Sequence, residues 1–173
     1  RVVESIRWVD KAYIAEDEKY AHMTYFINGG YSRPIIQEKW IRVASSKVAH
    51  FEKKPEMSAG KITEKIIGGV KDKKYDFIAA NYANADVVSH SGNLEATVKA
   101  VEYLDEQIGQ ISQAVLKQKG TLIITADHGN AEKMWDEEQG EIFTAHTTNP
   151  VPFLLIDSQL KNVKLRSDGC LGD

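Results

Sequence analysis

The sequence predicts an α/β fold, a mainly parallel sheet flanked by helices, on two observations. Strand-like apolar runs alternate with runs of helical period, and histidine and aspartate groups fall where the strand-like runs end. Residues 22–27 read as a strand stopped by Asn28-Gly29-Gly30. Ser58 is placed to cap a helix carrying Ile62, Ile66, Ile67 and Val70 on one face, and residues 75–82 read as a second strand. The clearest helix follows: Leu94, Val98, Val101, Leu104, Ile108, Ile111 and Val115 recur in steps of three and four behind an N-cap at Asn93. Residues 117–120 give it a basic last turn and a terminating glycine. Residues 121–125 read as the next strand, 135–141 as a charged loop and 151–156 as a buried apolar run. No repeat, low-complexity stretch or linker divides the chain, so residues 1–173 read as a single domain.

A chain of 173 residues with 42% hydrophobic and 27% charged residues is long enough to bury a core. Its formal charge of −3 and pI near 6.0 argue against a general surface for nucleic acid or anionic lipid and leave a small anionic substrate open. Cys170 is the single cysteine, so no internal disulfide is possible, and no apolar run approaches the roughly 18 residues of a membrane span. With no signal peptide in view, the expected compartment is the reducing cytoplasm. The chain opens on Arg1 and closes at Leu171-Gly172-Asp173 after the loop-like Ser167-Asp168-Gly169-Cys170, and the expectation is a piece of a longer protein.

The chemistry concentrates in three segments. In Thr125-Ala126-Asp127-His128-Gly129-Asn130 two metal-type ligands sit side by side at a strand end, with a glycine that lets the backbone turn tightly. Asp86 and His90 lie four residues apart after another apolar run, and His146 stands in Thr144-Ala145-His146-Thr147-Thr148-Asn149-Pro150. Each has a plain reading: Asp86 and His90 as helix-start residues, Asp127 as part of a turn, His146 as a loop hydrogen-bonder. Their joint occurrence favours a metal site. Imidazole and carboxylate without thiolate suit an open catalytic site for Mn²⁺, Zn²⁺, Co²⁺ or Fe²⁺. Two dications against Asp86 and Asp127 would leave roughly +2 uncompensated, which a phosphate monoester dianion cancels. Phosphoryl transfer is the chemistry this points to.

Taken together, Glu18-Lys19-Tyr20-Ala21-His22, Phe26-Ile27-Asn28-Gly29-Gly30, Pro55-Glu56-Met57-Ser58, Asn81-Tyr82-Ala83-Asn84, Thr125-Ala126-Asp127-His128-Gly129-Asn130-Ala131-Glu132 and His146-Thr147-Thr148-Asn149-Pro150-Val151-Pro152 closely resemble the 2,3-bisphosphoglycerate-independent phosphoglycerate mutases of the alkaline-phosphatase superfamily. The resemblance implies an alkaline-phosphatase-like domain and a dimanganese enzyme that interconverts 3-phosphoglycerate and 2-phosphoglycerate in glycolysis through a phosphoserine. It implies that Asp86, His90 and His146 hold one Mn²⁺, that Asp127 and His128 supply part of a second site, and that Lys19 is the active-site lysine. Ala85, Ser89 and Ser91 depart from the family's usual Pro, Gly and Thr, but the Asp86 to His90 spacing is kept. The family's nucleophilic serine motif, Gly-Asn-Ser-Glu, and the inserted domain whose arginines grip the substrate have no counterpart in these residues. The chain is therefore expected to be the C-terminal part of the phosphatase-like domain, inactive alone as a mutase. A complete enzyme of this kind is compatible with a monomer, whereas an incomplete sheet would leave an edge that invites self-association. The alternatives are a phosphomonoesterase or phosphopentomutase of the same superfamily, and a non-catalytic metal-binding fragment.

Overall fold

The computed structural model describes residues 8–160, 162–167 and 169–170; Asp168 and residues 171–173 of the loop-like end lie outside them. Its central strand is β1, Lys11–Glu16, buried along its whole length. β2, Glu38–Val43, and β3, Phe77–Asn81, pair with it in parallel on either side, giving the order β2-β1-β3. Neither β1 nor β2 stands out in the sequence, because β1 is bounded by charge. Lys11 and Glu16 are nonetheless buried at its two ends. The Lys11 ammonium donates to the carbonyls of Val9 (3.0 Å) and Ile36 (3.2 Å), and the Glu16 carboxylate accepts from Ser45 Oγ (3.1 Å) and the Ser58 N–H (3.4 Å). A strand buried on both faces shows no alternation to read.

Residues 22–27 are not a strand. This segment coils instead into a π-helical turn, His22–Phe26, with Phe26 N–H donating five residues back to the Ala21 carbonyl at 3.0 Å, so its backbone bonds are made locally rather than to a neighbouring strand. Gly29 and Gly30, at φ 67° and 93°, end it.

Helix α1, Ala59–Lys71, brings Ile62 and Ile66 onto Ala12, Ile14 and Val43 of the sheet. Ser58 precedes it without capping it: the hydroxyl donates to the Ala44 carbonyl at 2.9 Å. After β3 comes a short helical turn, α2, Asp86–Ser89, and then the long helix α3, Leu94–Lys117. Asn93 caps α3 as expected, its side chain accepting from the Ala96 N–H at 3.0 Å. At the other end Lys119, not Gly120, takes the left-handed conformation (φ 59°), and Gly120 N–H closes back on the Val115 carbonyl. The buried face of α3 is also rotated from the expected stripe. Ile111 and Val115 reach the core, but the N-terminal half buries Ala96, Thr97 and Ala100 while Leu94, Val98 and Val101 are exposed. Small residues there permit close approach to α2 and to Met57, Ala83 and Val88, which form a second apolar cluster under the loop that follows β3.

The last strands depart from the parallel scheme. β4, Leu122–Thr125, pairs antiparallel with a later strand, Phe153–Ile156, and the two form a separate sheet. Between them β5, Trp135–Asp136, and β6, Glu141–Ile142, make a small hairpin out of the expected charged loop, so Phe153–Ile156 is β7. The run expected to be buried is half open, with Phe153 47% and Leu154 52% exposed; successive strand residues point to opposite faces, so neither face of this two-stranded sheet is fully covered at that end. No helix among the described residues is long and apolar enough to cross a membrane.

Candidate metal centre

The carboxyl end of β3 opens into a loop whose Ala83 and Asn84 are buried, Asn84 donating to the Pro55 and Glu56 carbonyls. This seats α2, and α2 places Asp86 and His90 one turn apart on the same face. Asp86 Oδ1 lies 3.2 Å from His90 Nε2 and 3.2 Å from His146 Nε2, and the two imidazole nitrogens are 3.1 Å apart. Ligands about 2.0–2.2 Å from a four-coordinate dication are separated by roughly 3.3–3.6 Å, so three donor atoms at these spacings fit one ion. Among the described residues, this trio is the group of histidine and acidic side chains so disposed. His90 Nδ1 meets the Thr144 carbonyl at 2.7 Å; donation there leaves Nε2 as the lone-pair nitrogen facing the trio.

Lys19 arrives from the 3₁₀ turn Asp17–Lys19 directly after β1, and its buried ammonium sits 2.6 Å from Asp86 Oδ2. Asn130 Nδ2 donates to Asp86 Oδ1 at 2.8 Å. Burial pushes the Asp86 carboxyl up, but the hydrogen bonds from Lys19 and Asn130 and the charges of Lys19 and His90 outweigh it and hold the group at about 2. A carboxylate that stays ionised beside two imidazoles is a suitable dication ligand.

Asp127 and His128 follow β4 and adjoin this cluster through one contact. The His128 ring stacks on His146, centroids 3.6 Å apart. Asp127 lies on the solvent side, 3.6 Å from His128 Nε2 and half exposed. The six residues singled out by sequence thus divide: Asp86, His90, His146 and Lys19 converge, His128 lies against His146, and Asp127 reaches the group by way of His128. Gly129 is needed for close approach, since its φ is not positive and a Cβ there would overlap Thr147 Oγ1 and Glu132 Oε1. Sequence reasoning missed Asn130 as a partner of Asp86 and Glu132 as a partner of the His146 loop. Their position just behind Asp127-His128-Gly129 was the available signal.

A model for the metalloenzyme superfamily matches residues 3–173. The chain belongs to that superfamily. Within the superfamily it is 50% identical over 167 residues to the 2,3-bisphosphoglycerate-independent phosphoglycerate mutase of Gloeobacter violaceus, covering 92% of this chain and 31% of that protein. The enzyme of the same name from Clostridium perfringens is 49% identical over 160 residues, with the same coverage. The chain therefore spans about a third of the length of these relatives. Among solved structures, a Leishmania mexicana phosphoglycerate mutase at low cobalt concentration superposes with a TM-score of 0.80 at 35% identity, over 85% of this chain and 29% of that one. The PH0037 protein of Pyrococcus horikoshii, at 18% identity and TM-score 0.55 over 93% of this chain and 41% of that one, shares the fold. A superfamily of metalloenzymes agrees with the donor set that Asp86, His90 and His146 present.

Proposed function

We propose that this chain is the metal-binding part of a 2,3-bisphosphoglycerate-independent phosphoglycerate mutase, interconverting 3-phosphoglycerate and 2-phosphoglycerate through a phosphoserine. The observation that carries the reading is the convergence of Asp86, His90 and His146 beside the Lys19 ammonium, in a chain half identical to enzymes of that name. Asp86, His90 and His146 would hold one dication, Mn²⁺ in the first instance, and Asp127 with His128 would contribute to a second. Bound dications supply Lewis-acid neutralisation of phosphoryl oxygens and lower the pKa of a hydroxyl nucleophile. The chain's own residues do the rest. Asn130 and Lys19 keep Asp86 ionised and fixed, the Thr144 carbonyl sets the tautomer of His90, and Lys19 presents a compact cation to a phosphoryl oxygen or to the serine oxygen. On this reading the chain is a single partial domain, and the serine and the substrate-gripping arginines come from segments outside these 173 residues.

The test is conversion of 3-phosphoglycerate to 2-phosphoglycerate by the full-length protein that carries this chain, with added Mn²⁺, against a metal-free control and Asp127→Ala. Metal-dependent conversion abolished by Asp127→Ala is expected. Hydrolysis of simple phosphate esters or transfer on a pentose phosphate, without phosphoglycerate conversion, would replace the mutase by another phosphoryl-transfer enzyme.

A further inference from the structure

The loop behind Asp127-His128 and the loop that carries His146 are joined by one carboxylate. Glu132 Oε1 accepts from the Thr147 hydroxyl and from Asn149 Nδ2 (3.0 Å), while Oε2 accepts from the Asn130 N–H (2.7 Å). Thr147 N–H donates to the Gly129 carbonyl at 2.9 Å, so the two loops also share a backbone bridge. Three donors on one carboxylate, of which the Thr147 hydroxyl contributes most, hold Glu132 ionised below its ordinary range. Gly129 supplies an independent sign of the same contact: a Cβ at this position would lie within the Glu132 and Thr147 oxygens. The glycine is there to let the clasp close.

What the clasp positions follows from sequence adjacency. Thr147 directly follows His146, Asn130 binds Asp86 Oδ1, and His128 stacks on His146. We propose that Glu132 is a positioning residue for the metal centre: by clasping Thr147 and Asn149 it registers His146 against His128 and against Asp86 and His90. This rests on the metal-site reading above. Glu132 stands outside the trio and needs no contact with the ion. It acts as partners behind metal ligands do, by fixing a ligand's orientation.

Glu132→Gln tests this because it keeps the shape and breaks the donor pattern. One orientation sets its NH₂ against the Asn130 N–H, donor against donor; the other turns it to Thr147 and Asn149, which can accept only by rotating the hydroxyl and flipping the amide out of their present bonds. Co²⁺ is titrated into the metal-free full-length protein and followed by visible absorption, whose band intensities report coordination geometry, and metal-free melting curves are recorded in parallel. The expected result is Co²⁺ binding weakened roughly 10- to 100-fold with altered bands, while the metal-free protein stays folded and its melting temperature falls by no more than the lost hydrogen bond implies. Thr147→Val, which deletes one donor, is expected to follow in the same direction, and it decides the question if Glu132→Gln does not fold. Wild-type affinity and bands in the variants would overturn the positioning role, as would a loss of metal-free stability with normal affinity. Failure of the wild type itself to bind Co²⁺ would overturn the metal reading together with this one.

Discussion

Replacing Lys19 by Met separates the ion pair from the metal site. The ammonium and the Asp86 carboxylate meet at 2.6 Å with side chains 9% and 17% exposed. Met keeps the apolar stem of the lysine and removes the charge. Breaking a fully buried pair costs about 3–5 kcal/mol, because the remaining charge is stranded. Here Asp86 retains some access to water and still accepts from Asn130, so the cost is discounted to about 2 kcal/mol. In a domain of this size that corresponds to a fall of roughly 4–8 °C in melting temperature. The melting temperature is measured in a chelator and again in excess Mn²⁺. On the proposed metal reading a dication at the trio would supply Asp86 with positive charge, so the deficit of Lys19→Met is expected to be full in chelator and to shrink in Mn²⁺. An equal deficit in both conditions would refute the idea that Lys19 and the ion answer to the same carboxylate. No deficit in chelator would refute the stabilising pair.

Two further outcomes are expected from the fold. The Glu16 carboxyl is buried and pushed above its ordinary value of 4.5, by burial first and by the charge of Glu18, against hydrogen bonds from Ser45 and Ser58. An acid with a raised folded-state pKa binds its proton more tightly when folded, so stability falls as pH rises through that pKa. Glu16→Gln, whose amide can accept from the Ser58 N–H and donate to Ser45 Oγ, is therefore expected to be at least as stable as the wild type at pH 8. Its advantage should vanish as pH falls toward 4.5, and denaturant midpoints across that range would show a constant difference if the reasoning is wrong. Asn93→Ala removes the cap of α3 and should cost about 1 kcal/mol in the same denaturation experiment; an unchanged midpoint would mean that the bond to Ala96 contributes nothing.

The sequence by itself determined the long capped helix, the helix after Ser58, the strand before Asp86 and the concentration of chemistry at strand ends. Those signals are local: period, cap and strand-end placement are written in neighbouring residues. It also determined the superfamily, since the motifs are contiguous runs. The tertiary structure alone decided which strand is central, because Lys11 and Glu16 look like surface residues until β2 and β3 enclose them. It closed residues 22–26 into a π-helical turn that makes its own backbone bonds, and it paired β4 with β7 antiparallel. At the site, spacing could place Asp86 and His90 on one face. Only the fold could bring His146 to within 3.2 Å of Asp86 across 60 residues, set Lys19 and Asn130 on the same carboxylate, and place Glu132 against the loop that carries His146. Such contacts join residues distant in the chain, and side-chain identity alone carries no record of which of them will meet.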